Sequence, residues 1–338
     1  MAVTKVVILN WNGVKHLKRF LPGVVLSTPA DVEIVVADNG STDDSLDLLR
    51  RRFPTVRVLE LGDNYGFAGG YNRALAQLEA DYFVLLNSDV ETPRDWLEPL
   101  VSVLEMDRTM AAVAPKILSW ADKGLFEYAG ACGGFIDRYG YPFCRGRIIG
   151  SVERDEGQYD QACDVFWASG ACFCCRADLF REAGGFDESF FAHMEEIDLC
   201  WRLQIAGYKI GVEPSSCVYH VGGGTLAPES PRKLYFNYRN SLYMLFKNLP
   251  SGRMFTTLFI RMLLDGASAA VYLLQGKWRA MRAVMKAHGA FYMHLGQLRR
   301  SRRKIEALRV SLPETVYGGS VVWDYFIRRR KTFGSLDF

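Results

Sequence analysis

The 338-residue chain has no excess of either charge: 41 Lys and Arg stand against 38 Asp and Glu, a formal net charge of +3. A balance so even argues against a nucleic-acid binder, which would carry a strongly basic surface. Also missing is a charge-free apolar stretch of the roughly 18 residues that a spanning helix needs. The strongly apolar segment 254–274 is broken by Arg261 and Asp265, and so fits a membrane-surface or core-packing helix better. The N-terminal run Val3 to Leu9 is too short for a signal peptide and lacks a cleavage region. Eight cysteines sit in apolar or aromatic surroundings, and no second metal-spaced pair matches Cys172 and Cys175. A reducing, cytoplasmic compartment is expected. The sequence has neither a Gly-x-x-x-x-Gly-Lys-Ser/Thr loop nor a Gly-x-Gly-x-x-Gly after its first strand, so both common phosphate-binding signatures are excluded.

What is present is enough apolar material, 49% of residues, to bury a large core. Short β-branched runs (Val6 to Leu9, Glu33 to Ala37, Val56 to Leu59, Tyr82 to Leu86) alternate with segments of helical periodicity, which predicts a parallel sheet flanked by helices. Ligands of such sheets bind beyond the carboxyl ends of the strands. The residues there are polar: Asn10-Trp11-Asn12, Asp38 to Asp43, Asn64-Tyr65-Gly66-Phe67 and Asn87-Ser88-Asp89. Each alone suits a turn or a helix cap. Four together, two with carboxylates, point to a nucleotide site.

These residues resemble those of the family 2 glycosyltransferases of GT-A fold, and within them the rhamnosyltransferase-like group that builds bacterial surface polysaccharides. The resemblance runs from Val6 to about Asn248. It implies an α/β GT-A (nucleotide-diphospho-sugar transferase) fold with a mainly parallel mixed sheet, and a nucleotide-sugar site built from Asn10, Asn12, Asp38, Asn64, Gly66, Asn72, Arg73, Asn87, Ser88 and Asp89. The family's metal-binding Asp motif is Asn87-Ser88-Asp89 here, with Asn in place of the usual first Asp, so Asp89 is the motif's one carboxylate for Mg²⁺ or Mn²⁺. His220, ahead of Gly222-Gly223-Gly224, matches a histidine that completes the metal site in relatives. The acidic pair Glu195-Glu196 maps onto the family's catalytic base position; Glu196 is the expected base and Glu195 the alternative. Trp167, Ser169, Gly170, Asp198 and Arg202 are implied on the acceptor side.

The residues by themselves leave other readings open. Glu195, Glu196 and Asp198 also suit the first turn of a helix, where the dipole favours carboxylates. His220 also suits a satisfied, partly buried position. Arg73 and Arg202 equally suit helix-surface ion pairs.

The implied chemistry is inverting sugar transfer from a nucleoside-diphosphate donor, L-rhamnose from dTDP foremost and a UDP- or GDP-sugar otherwise, to a lipid-linked or oligosaccharide acceptor. A nonenzymatic, membrane-associated nucleotide-binding protein is the alternative class. A processive synthase would carry spanning helices and a Gln-x-x-Arg-Trp element, and neither is found.

Charge is segregated along the chain. Residues 1–246, the expected catalytic domain, carry 24 basic and 33 acidic side chains, whereas 247–338 carry 17 and 5. This C-terminal part is expected to be a basic, amphipathic helical extension attracted to an anionic membrane surface, at the inner face of the plasma membrane. Packing on the catalytic domain, or on a second copy in a homo-oligomer, is the competing expectation.

Overall fold

A computed structural model describes residues 2–222 and 230–338. Its first half is the expected alternation: β1 (Thr4–Asn10), α1 (Val14–Ser27), β2 (Glu33–Asp38), α2 (Ser45–Arg52), β3 (Arg57–Glu60), α3 (Gly66–Leu75) and β4 (Tyr82–Asn87). There follow β5 (Val90–Glu91), α4 (Glu98–Met106) and β6 (Met110–Ser119), then a run of short strands: β7 (Gly134–Asp137), β8 (Pro142–Cys144), β9 (Arg147–Ile148), β10 (Ser151–Val152) and β11 (Cys163–Asp164). The next elements are β12 (Cys172–Arg176), α5 (Ala177–Glu182), α6 (Glu195–Ile205) and β13 (Lys209–His220).

Among the described residues nine strands form one mixed sheet in the order β11-β13-β6-β12-β4-β1-β2-β3, with β5 added on β13. The pairs β1–β2, β1–β4, β2–β3 and β6–β13 are parallel, while β12 runs antiparallel between β4 and β6. Burial on both faces explains the unbroken apolar runs: Val6, Val7 and Val84 to Leu86 are inaccessible. The Cys172–Cys175 run is a core strand, and burial pushes all three of its thiols up. Register sets Asn10 beside Asp38, and Leu9 beside Asn87, so the polar strand ends lie along one edge.

The 246/247 division falls inside α7 (Pro231–Asn248), which continues into α8 (Ser251–Leu274), α9 (Trp278–Met293) and α10 (Leu295–Ala307). The last residues return to the body. β14 (Val316–Tyr317) adds to β7 in a second sheet ordered β10-β9-β8-β7-β14, and α11 (Val321–Phe326) follows it. Tyr317, Phe333 and Phe338 pack around Phe143 with ring centroids 5.8–6.3 Å away. The buried carboxylate of Asp137 ties this segment down by accepting from the Val321 amide at 3.0 Å.

The long apolar helix α8 turns its two mid-helix charges inward, while Arg253 near its start is exposed. Arg261 pairs with Asp265 at 2.9 Å, lies 3.9 Å over the Tyr141 ring, and faces the carbonyl of Gly140. By length and composition α8 could cross a membrane, and its outward side bears exposed Phe255, Phe259 and Leu263.

Candidate active site

The strand ends form a connected polar edge. Asn10, last in β1, donates through Nδ2 to Asp38 Oδ1 and to Ser41 Oγ, both at 3.1 Å. Asp38, last in β2, accepts from the Ser41 amide at 2.9 Å. Asn12 adopts a left-handed backbone (φ 51°), and its Oδ1 accepts from the Thr42 amide at 2.7 Å, closing the loop after β2 onto the loop after β1. Asn39 extends the edge: its amide nitrogen reaches the Gly66 carbonyl at 3.0 Å and its carbonyl accepts from the Tyr65 amide at 3.1 Å. Asn64 caps the start of α3 by accepting from the Gly66 amide at 2.9 Å. Gly66 is required there, because φ is +70° and a Cβ would sit 2.5 Å from the Phe191 carbonyl oxygen. One buried atom of this edge, Asn10 Oδ1, has no protein partner.

Asp89 lies just past β4 and is buried. His220, last in β13, places Nε2 3.2 Å from Asp89 Oδ1 and 3.4 Å from Asn87 Nδ2. Its other nitrogen lies 3.5 Å from Glu127 Oε2. Burial alone would lower the imidazole pKa, but the two flanking carboxylates outweigh it and push it up to about 10. Burial likewise opposes ionisation of Asp89, yet the hydrogen bond and charge of His220 hold it below the usual carboxylate range. The backbone joins the two segments where the Val221 amide donates to the Asp89 carbonyl at 3.1 Å. Ser88 is half-buried beside them. Gly223, Gly224 and Thr225 lie outside the described residues.

Among the described residues no group of three or more His, Cys, Asp or Glu side chains converges as a closed metal site. Asp89 presents one hard oxygen, and His220 adds an imidazole nitrogen once a bound cation displaces its proton. A divalent ion that keeps water and substrate phosphate oxygens fits so small a donor set.

The acidic pair opens α6 after an unusual approach. Phe191, His193 and Met194 have φ of 65°, 70° and 71°, a left-handed backbone that costs on the order of 1–3 kcal/mol per non-glycine residue. The loop rests on α3 through the Phe191 carbonyl, which accepts from the Phe67 amide at 2.7 Å. From behind, Arg239 in α7 donates to the carbonyls of Ser189 and Phe190 at 2.7 and 2.9 Å, and Phe236 stacks on Phe191 at 5.6 Å. Glu195 and Glu196 each bury one carboxylate oxygen, Oε2, without a partner. Burial raises both pKa values above the ordinary glutamate range, and for Glu195 the neighbouring charge of Glu196 adds to it. Half-buried Lys233, in the first turn of α7, is close enough to His193 and to Glu127 to couple electrostatically with both. Lys233 thus links electrostatically the loop of the acidic pair and the Glu127 that flanks His220.

Several residues expected to touch ligand are spent on architecture. Asp198 is fully buried, with its oxygens on Arg202 (2.9 Å), Lys247 (3.0 Å) and Asn248 (2.8 Å). Arg202 also donates to the carbonyls of Ala183 and Gly185. Trp167 donates to the Phe135 carbonyl at 3.0 Å and Ser169 to that of Ala129 at 2.8 Å, both buried. Gly170 lies against the Phe67 ring. Asn72 clamps Phe186 through both its amide atoms, and Arg73 pairs with Glu188 at 2.9 Å. Conversely Glu127, Lys233, Arg239 and Asn240 were not singled out from the sequence, and Asn39 only as part of the polar run after β2. Arg239-Asn240 in a mostly apolar helical stretch was the one available signal; Glu127 carried none.

Residues 5–129 match the family model "Glycosyl transferase family 2", and 147–294 match "Glycosyl transferase family group 2". An N-acetylglucosaminyl-diphospho-decaprenol L-rhamnosyltransferase of Mycobacterium tuberculosis is 31% identical over 234 residues, 64% of this chain and 76% of that protein. The succinoglycan biosynthesis protein ExoA of Rhizobium meliloti is 26% identical over 276 residues, 79% of this chain and 78% of that one. Among solved structures, a mannosyltransferase of Pyrobaculum calidifontis in complex with GDP-Man and Mn²⁺ superposes with a TM-score of 0.52 at 15% identity, covering 86% of this chain and 87% of that one. GalNAc-T7 with UDP, GalNAc and Mn²⁺ gives 0.56 at 18% identity, covering 73% and 48%. The sheet with its polar carboxyl edge is that of the GT-A fold, and the chain belongs to the family 2 glycosyltransferases, as a rhamnosyltransferase-like member.

Proposed function

We propose that this glycosyltransferase transfers a sugar with inversion, L-rhamnose from a dTDP donor, to a lipid-linked or oligosaccharide acceptor in surface-polysaccharide synthesis. The observation that carries the mechanism is the buried acidic pair Glu195-Glu196, with an unpartnered oxygen on each side chain. A buried carboxylate without a hydrogen-bond partner is costly and calls for a ligand.

Glu196 is the base: it keeps some solvent access, whereas Glu195 is 4% exposed. It takes the proton of the acceptor hydroxyl as that oxygen bonds to the anomeric carbon, while the bond from that carbon to the diphosphate breaks on the opposite face. A raised pKa brings the carboxylate closer to the hydroxyl's and strengthens it as a base. Asp38, with Asn10 and Asn12 beside it, is assigned to the nucleobase side, and Asn87, Ser88 and Asp89 to the diphosphate. Mg²⁺ or Mn²⁺ on Asp89 and His220 would supply charge neutralisation for the leaving diphosphate. Lys233 adds a positive group from the protein itself. The M. tuberculosis relative supports both the sugar and a lipid-linked acceptor. Such an acceptor supports a peripheral position at the cytoplasmic membrane face.

Two measurements test this reading. In a panel of nucleotide sugars with Mn²⁺, dTDP-rhamnose should raise the melting temperature most, since ligand binding stabilises the native state in proportion to saturation. A larger shift with a UDP- or GDP-sugar would reassign the donor. Glu196→Gln should keep donor binding and lose transfer; unchanged turnover removes Glu196 as base.

A further inference from the structure

A groove of about 620 Å³ runs between the start of α7 and the length of α9. On α9 it is lined by Arg279, Arg282, Lys286, Ala290 and Met293, spaced to share one helix face. Ala290 is buried at its floor, while the three basic side chains are exposed at its rim. Arg232 closes it from α7 and lies 5.6 Å from the Phe191 ring, so the groove abuts the loop that carries the acidic pair. Among the described residues the lining contains four cationic side chains and no carboxylate. At its ends Trp278 and Met293 are 52% and 77% exposed.

Guanidinium and ammonium groups clustered without counter-charges among the described residues suit a phosphate-bearing ligand, which arginine grips through two parallel hydrogen bonds. Exposed apolar side chains at both ends of the same groove suit a hydrocarbon chain joined to that phosphate. The geometry points to this groove as the binding site for the lipid-diphosphate portion of the acceptor. The diphosphate lies on Arg232, Arg279, Arg282 and Lys286, the hydrocarbon runs over Trp278 or Met293, and the acceptor sugar is presented toward Glu196. The inference rests on the lipid-linked acceptor of the proposed function.

Farnesyl diphosphate, titrated calorimetrically into the full chain, is the probe. It should bind at least tenfold more tightly than inorganic diphosphate, and Arg282→Gln/Lys286→Gln should weaken it at least tenfold without altering the thermal shift given by the nucleotide sugar. Trp278→Ala should weaken farnesyl diphosphate but not inorganic diphosphate. Undiminished affinity in the double variant overturns the site, and equal binding of inorganic diphosphate reduces it to a free-anion site. Phosphatidylglycerol vesicles that compete fully, with the same loss in the variants, would give the groove to bilayer headgroups instead. If no nucleotide sugar stabilises the chain, the proposed donor and reaction fail while the farnesyl diphosphate result still decides the groove.

Discussion

The side-chain amide nitrogen of Asn240 stands 2.7 Å from the carbonyl oxygen of His193, and the same nitrogen lies 2.9 and 3.1 Å from the carbonyls of Ala192 and Phe190. One fully buried amide on α7 thus holds the left-handed turn that delivers Glu195 and Glu196. Hydrogen bonds from a buried group offset the backbone cost of that turn. Asn240→Ala should therefore lower kcat by roughly one to two orders of magnitude, because misplacing a catalytic group by about 1 Å can cost about a hundredfold. The donor KM should change far less. Steady-state kinetics that show an unchanged kcat would separate Asn240 from the catalytic loop.

The acidic pair predicts a pH profile. With Glu196 as base, kcat/KM should fall on the acid side with an apparent pKa above the ordinary glutamate value of about 4.3, because burial disfavours the ionised form. Glu195→Gln should retain that acid limb, and Glu196→Gln should lose it together with roughly 10²–10⁴ in rate.

The same shifts act on stability with a definite sign. The folded pair binds protons more tightly than the unfolded chain, so its penalty appears as pH rises from the unfolded value through the folded one. Glu195→Gln should then be more stable than the parent at pH 8 and gain little at pH 4. Urea titrations at the two pH values check this, and an equal effect at both would contradict the raised pKa.

Lys247 is 1% exposed and sits between Asp187 at 2.5 Å and Asp198 at 3.0 Å. Burial opposes ionisation of Asp187, but the charge and hydrogen bond of Lys247 hold its pKa far below the usual range. Removing one partner of a buried ionic group strands the others, at about 3–5 kcal/mol. Lys247→Met should lose stability of that order at pH 7. The deficit should shrink as pH falls below the unfolded Asp value of about 3.9 and through the lower folded one, where both forms lose the ionised partner. A loss below about 1 kcal/mol in chemical denaturation would show that the triad has little net worth.

Tyr317 joins the C-terminal segment to the body: it is 3% exposed, donates to Asp324 at 2.8 Å and packs on Phe143 and Phe338. Tyr317→Ala should cost roughly 3–5 kcal/mol, as for other large-to-small core changes. Limited proteolysis should cut the variant first near residue 314. An unchanged digestion pattern would mean that the segment is held elsewhere.

The sequence by itself determined the sheet. Its β-branched runs match β1, β2, β3 and β4 to within a few residues; β1, β2 and β4 are buried on both faces, where little but apolar side chains fits, whereas β3 is the exposed edge strand. It also put Asn10, Asp38, Asn87 and Asp89 at strand ends, where local chain order alone decides position. Only the tertiary structure decided which polar residues reach the cleft. Asp198 and Glu196 are two positions apart on α6, and the helical turn between them sends Asp198 inward to Lys247. Glu127 meets His220 across 93 residues of chain, a pairing that no local pattern encodes. The tail's excess of basic charge was legible as composition, but its distribution was not. Arg261 is buried against Asp265, and Arg302 and Arg309 donate to the carbonyls of Phe246 and Asn248, whereas Arg279, Arg282 and Lys286 line an open groove. Helix packing sorts like residues into structural and available ones, and that sorting depends on neighbours distant in the chain.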